Sequence, residues 1–127
     1  MSTREKSEYL LISRGQWDKS LPPEEIQVAI DQFYGWLDTM VRDGKMKIGQ
    51  RLSREGRTVG RDKVLDGPFG ETKEAIGGYW FILAESLDEA AELAKENPTM
   101  RCGLFYEIRP IETAIASAFS KTNETPD

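Results

Sequence analysis

Hydrophobic and polar positions recur along the chain with two periods, and the switches between them divide it into elements. Tyr9-Leu10-Leu11-Ile12, ended by Ser13, Arg14 and Gly15, reads as a first strand. Ser20-Leu21-Pro22-Pro23-Glu24-Glu25 opens a helix, since proline suits the first turn and early acids suit the positive end of the helix dipole. Ile26, Ile30, Phe33, Leu37, Met40 and Val41 then fall on one helical stripe, and Gly44 stands where glycine ends a helix. Met46, Ile48, Gln50 and Leu52 alternate with Lys45, Lys47, Gly49 and Arg51, the period of a half-buried strand. Ser53-Arg54-Glu55-Gly56 is turn-like, and Thr58-Val59 with Lys63-Val64-Leu65 is expected to return as the second arm of that hairpin.

Asp66-Gly67-Pro68-Phe69-Gly70 breaks regular structure. After Gly77-Gly78, the run Tyr79-Trp80-Phe81-Ile82-Leu83 predicts a central strand buried on both faces. Ser86-Leu87-Asp88-Glu89 is a capping box with Ser86 as N-cap. Leu87, Ala90, Ala91 and Ala94 form the buried stripe of the helix that follows, and Pro98 closes it. Leu104, Tyr106 and Ile108 alternate with Phe105, Glu107 and Arg109 in a last strand. Beyond Pro110 a weaker stripe (Ile111, Ile115, Ala118, Phe119) predicts a short helix or a docked tail, and Lys121 to Asp127 are expected to be disordered.

The resulting order is β-α-β-β-β-α-β with short connections. It predicts an α+β, ferredoxin-like sandwich, an antiparallel sheet with two helices on one face. A chain of 127 residues is long enough for one domain with a real core, here expected over about 8–111, with 1–7 and 112–127 as terminal tails. The aromatic content of the strands (Trp80, Phe105, Tyr79, Tyr106) makes the sheet's second face costly to leave in water, so a homodimer is expected.

Composition removes whole classes of chemistry. The chain has no histidine, which excludes a Ser-His-Asp triad, a Cys-His dyad and imidazole acid-base catalysis. One cysteine, Cys102, excludes an internal disulfide framework and suits a reducing compartment; it reads as a small core residue. No metal-ligand spacing appears, and no cofactor is expected. The longest apolar run, Tyr79 to Ala84, is too short to cross a bilayer, and Met1 to Glu8 lacks the apolar core of a signal peptide. The expected location is therefore the cytoplasm, with no membrane partner.

A net charge of −5 argues against generic nucleic-acid binding. That total conceals a basic stretch: residues 45–63 hold seven Lys and Arg against Glu55 and Asp62. With no aromatic residue among them, they read either as a solvated, edge-protecting strand pair or as a device that steers an anionic metabolite or touches an acidic partner.

The most distinctive run is Val64-Leu65-Asp66-Gly67-Pro68-Phe69-Gly70-Glu71-Thr72-Lys73-Glu74-Ala75-Ile76-Gly77-Gly78. With Gly49-Gln50-Arg51-Leu52 before it and Glu107-Ile108-Arg109-Pro110-Ile111 at the end, it resembles the signature of the YCII-related family, in its bacterial DGPF-domain branch. The resemblance covers about residues 8–111. It implies a dimeric α+β barrel, two ferredoxin-like units packed sheet to sheet. It also implies enzymatic activity in some YCII-like relatives, one of dehydrochlorinase type, built on a histidine with the aspartate of the Asp-Gly-Pro motif. For the DGPF branch it implies association with extracytoplasmic-function sigma factors. The aspartate carries over to Asp66, whereas the histidine has no counterpart in this chain.

Asp66 is accordingly the candidate catalytic residue, a carboxylate at a strand end before a rigid Gly67-Pro68 turn, where partial burial would suit a general acid or base. An Asx-turn that stabilises the loop is the structural alternative. Phe69 reads as a core plug or a ligand contact, and Thr72, Lys73 and Glu74 as ligand contacts or a solvated connection. Arg14 and Arg109, at the ends of the expected outer strands, are placed to meet an anion, with surface pairing to Glu107 or Glu112 as the alternative for Arg109.

Two functions follow. One is a homodimer with a small-molecule pocket near Asp66, acting as a cofactor-free lyase- or isomerase-type enzyme. The other is a non-catalytic ligand-binding or accessory protein linked to sigma-factor regulation.

Overall fold

The computed structural model describes residues 5–66 and 75–126. Its elements are β1 (Ser7–Arg14), α1 (Pro23–Arg42), β2 (Met46–Arg51), β3 (Arg57–Val59), β4 (Val64–Asp66), β5 (Ile76–Ala84), α2 (Leu87–Ala94), a 3-10 turn (Pro98–Cys102) and β6 (Phe105–Pro110). One antiparallel sheet holds the strands in the order β2-β5-β1-β6. That is the ferredoxin-like α+β arrangement expected from the alternation of elements.

One side of the sheet is dry. Tyr9 and Leu11 of β1, and Trp80, Ile82 and Ala84 of β5, form a single core with Phe33, Leu37 and Met40 of α1 and Ala90 and Ala94 of α2. Both helices therefore lie on the same face. Phe33 meets Trp80 edge-on with ring centroids 5.1 Å apart, which joins α1 to the central strand. Leu11, Met46 and Ile82 are the largest fully buried side chains, each contributing about 1.5–3 kcal/mol of transfer free energy. Cys102 is buried as a free thiol, a small interior residue as expected.

Local signals set most boundaries. Pro23 begins α1 with Glu24 and Glu25 in its first turn, and Gly44 takes a left-handed φ of 73° just past its end. The Ser86 hydroxyl accepts a 3.1 Å bond from the Glu89 amide, half of the predicted box. Glu89 reaches back to the Glu85 amide at 3.4 Å instead of to Ser86. At the 3-10 turn the Asn97 side chain accepts bonds from the Thr99 amide and hydroxyl, and Thr99 lies 2.7 Å from the Tyr106 hydroxyl. This buried relay fixes the start of β6.

Several expectations need correction. The alternation assigned to β2 holds only at Met46: Ile48 is 69% exposed and Leu52 45%. An irregularity between Lys47 and Gln50 breaks the register, because Gly49 lies against the Tyr79 carbonyl where no side chain fits. The expected return arm does not pair with β2. It folds on itself, β3 with β4, with the Gly60 amide bonded to the Lys63 carbonyl at 2.9 Å, so the described residues hold one strand more than predicted.

β5 is central, but only one face is fully buried; Tyr79, Phe81 and Leu83 on the other are half-buried. Leu87, expected in the α2 stripe, is 45% exposed, whereas Ala90 and Ala94 are buried. The apolar stripe beyond Pro110 forms no helix among the described residues and docks on nothing, with Ile115 94% and Phe119 100% exposed.

Candidate functional site

The face of the sheet opposite the helices carries Leu10, Ile12 and Arg14 from β1, Tyr79 and Phe81 from β5, and Phe105, Glu107 and Arg109 from β6, by direct cross-strand register. Most of these positions are apolar, yet each end holds charge. At one end Lys47 pairs with Glu8, and its ammonium lies 5.9 Å from the Phe81 ring centroid.

Toward the Arg14 end of β1 one carboxylate lies between two guanidiniums, the Arg109 one standing on the same cross-strand row as Leu10, Phe81 and Lys47. Arg14 Nη1 donates to Glu107 Oε1 at 2.6 Å, and Arg109 Nη1 donates to Glu107 Oε2 at 3.1 Å. The side chains are 23%, 34% and 49% exposed for Arg14, Glu107 and Arg109, so the pair that includes Arg14 is the more sheltered. The two guanidiniums and the carboxylate lie on a half-buried, aromatic-flanked surface, a setting in which charge-assisted hydrogen bonds are stronger than in open water.

The signature run joins the sheet at this same end. The Gly15 amide donates to the Ala75 carbonyl at 3.1 Å, and the Leu52 amide to the Gly77 carbonyl at 2.8 Å. Arg14 stands opposite Ile76 in register. The downstream end of the motif is thus pinned next to Arg14. Upstream, Asp66 closes β4 with its backbone opposite Arg57. The Asp66 side chain and Gly67, Pro68, Phe69, Thr72, Lys73 and Glu74 lie outside the described residues.

Of the predicted site residues, Arg14 and Arg109 come together, through Glu107. Arg14 is not on an outer strand as expected, because β1 is the inner neighbour of both β5 and β6. Glu107 was read only as a surface partner for Arg109; its contact with Arg14 spans 93 residues of sequence, for which no local pattern exists. The usable signal was the spacing of Glu107 and Arg109, two apart on the polar side of the last strand.

A separate groove of about 640 Å³ runs between α1 and β2, lined mainly by Tyr34, Leu37, Val41, Ile48 and Trp80. It opens on the helix side of the sheet, away from the charged cluster. Among the described residues no group of His, Cys, Asp or Glu gathers to hold a metal, and no helix is long and apolar enough to cross a membrane.

Comparison with known proteins adds three observations. A stretch of 58 residues is 41% identical to uncharacterized protein R00369 of Rhizobium meliloti (strain 1021), covering 42% of this chain and 44% of that protein, less than half of the relative's length. Among solved structures, 5-chloro-2-hydroxyhydroquinone dehydrochlorinase (TftG) from Burkholderia phenoliruptrix AC1100, in complex with 2,5-dihydroxybenzoquinone, aligns at a TM-score of 0.46 and 20% identity, over 84% of this chain and 95% of that one. Residues 7–114, most of the chain, match the YCII-related domain, so the chain belongs to the YCII-related family.

Proposed function

We propose that the protein is a homodimer that binds a small organic anion between two open sheet faces, at the Arg14–Glu107–Arg109 cluster, and acts on it as a cofactor-free lyase- or isomerase-type enzyme. The observation that carries this reading is the Gly15–Ala75 hydrogen bond, which ties the end of the signature run to the backbone beside Arg14. In this reading Arg14 and Arg109 hold a carboxylate or phenolate, and Glu107 orients their guanidiniums. Asp66 takes or gives the proton, a role open to a carboxylate in a chain that has no histidine. The second copy covers Tyr79, Phe81 and their neighbours and removes water from the site. A reducing, cytoplasmic setting suits the single buried Cys102.

The lack of histidine favours a second reading, in which the same pocket binds its ligand without turnover and the protein serves as an accessory to a sigma factor. Asp66→Asn separates the two. Thermal-shift titration with small aromatic carboxylates and phenols is expected to give a stabilisation that the variant loses, with any turnover falling about 100-fold or more. A wild-type shift without turnover, together with co-purification of a sigma factor, selects the accessory role. A shift that the substitution leaves unchanged removes Asp66 from the pocket. A large loss of ligand-free melting temperature assigns Asp66 to loop stabilisation.

A further inference from the structure

The stripe beyond Pro110 keeps its pattern although one copy gives it nothing to cover. Ile111, Ala114, Ile115, Ala118 and Phe119 recur at the spacing of one helical face, and Ile115 and Phe119 stand in water. The groove between α1 and β2 is the reverse case, an apolar surface with nothing on it. Leu37, Val41 and Trp80 line it, and its Tyr34 and Ile48 are exposed. An amphipathic segment laid into an apolar groove, with anchors at i, i+3 and i+4, is a recurring mode of peptide recognition. The lengths agree: from Tyr34 to Val41 the groove follows about two turns of α1, roughly 10 Å, and the anchors Ile115, Ala118 and Phe119 need about one turn.

Topology decides whose groove is in reach. Pro110, Tyr9, Ile82 and Met46 form one row across the sheet, so β6 ends at the level where β2 begins, on the opposite edge. Within one copy the tail would have to cross the end of the four-stranded sheet, about 14 Å, past the α1–β2 and β5–α2 connections, and here it does not. In a two-fold pair whose sheets stack about an axis parallel to the strands, the edges exchange and the ends match. The β6 edge of one copy then lies beside the β2 edge of its partner and antiparallel to it, with Pro110 level with Met46. Glu112 to Ala114, extended, span about 10 Å, the spacing of stacked sheets. They carry Ile115 around that edge to the helix side, where the groove opens.

We propose that residues 111–119 are a clasp that seats Ile115, Ala118 and Phe119 in the α1–β2 groove of a second copy, against Val41, Ile48 and Tyr34. The proposal rests on the dimer reading given above and extends it from the open sheet faces to the helix side. By symmetry the contact is made twice.

Cross-linking between separately purified full-length variants tests the clasp apart from the dimer itself. Ile48→Cys and Phe119→Cys chains, with the buried Cys102 common to both, are mixed, allowed to exchange subunits and oxidised mildly. Light scattering gives the mass before oxidation, and a denaturing gel gives the covalent species after it. A covalent heterodimer is expected from the mixture, severalfold above the yield of either variant alone. Ile115→Asp on the Phe119→Cys chain should cut that yield about tenfold or more, because a carboxylate would be seated among apolar groups, and should leave the protein dimeric. A dimer with no excess cross-link in the mixture overturns the clasp and leaves the sheet-to-sheet dimer standing, whereas a monomer overturns both. A cross-link indifferent to Ile115→Asp overturns the seating in the groove. A double variant, Ile48→Cys with Phe119→Cys, that closes within one chain places the tail on its own copy and overturns the role of the second. A Phe119→Cys thiol that reacts with a soluble maleimide as fast as in urea leaves the tail in water and overturns the proposal.

Discussion

Replacing Gly49 by alanine is expected to destabilise the protein by about 3 kcal/mol, a large share of the stability of a small domain. A Cβ built on Gly49 meets the Tyr79 carbonyl oxygen at 1.9 Å and the Tyr79 carbonyl carbon at 2.7 Å. These are backbone atoms of the central strand, so no rotamer change relieves the clash. β2 must move away from β5, which strains the ladder that carries Met46 into the core. The helical Gly35 provides the contrast. Its added Cβ meets nothing within 4 Å, and Gly35→Ala should stabilise α1 by about 0.5–1 kcal/mol through backbone entropy alone. Urea denaturation of the two variants should therefore move the midpoint in opposite directions.

Phe81→Asp should convert the proposed dimer into a monomer at micromolar concentration. Phe81 lies mid-strand on the open face, edge-on to Tyr79 at 6.0 Å and beneath the Lys47 ammonium. In a single copy the new carboxylate stays near water and Lys47, so the fold should survive. Buried between two apolar faces, one such charge costs about 4 kcal/mol or more, a loss of roughly a thousandfold in association. Light scattering during gel filtration checks the mass, and circular dichroism checks the fold. Tyr34→Asp, on the helix side and 48% exposed, should leave the mass unchanged.

Much of this fold is legible in the residues, wherever one local cause suffices. The α1 stripe with its prolines and Gly44, the Ser86 cap, and the apolar run from Tyr79 to Leu83 each fix an element without help from elsewhere, although the run reads as buried on both faces where only one is. The region from Met46 to Asp66 failed for the opposite reason. Its alternating residues look like one hairpin, but pairing is decided by β5, whose Tyr79 carbonyl admits Gly49 and shifts the register. Ile48 and Leu52 then face outward despite their hydrophobicity, and β3 pairs with β4 in a sheet of its own.

Exposed Leu87, Ile115 and Phe119 illustrate a related limit, since hydrophobicity marks a wish for burial without naming the surface that provides it. At the site, Asp66 and its neighbours stand out as a motif, whereas Glu107 becomes visible only when the sheet brings β6 beside β1.

The location of the site can be read directly from backbone amide chemical shifts during titration with a small aromatic carboxylate such as benzoate. Binding at the open face should shift the resonances of Arg14, Gly15, Ala75, Ile76 and Glu107, and Arg14→Met should abolish those changes. Shifts confined to the groove around Tyr34, Val41 and Ile48, with Arg14 and Glu107 unmoved, would contradict the account.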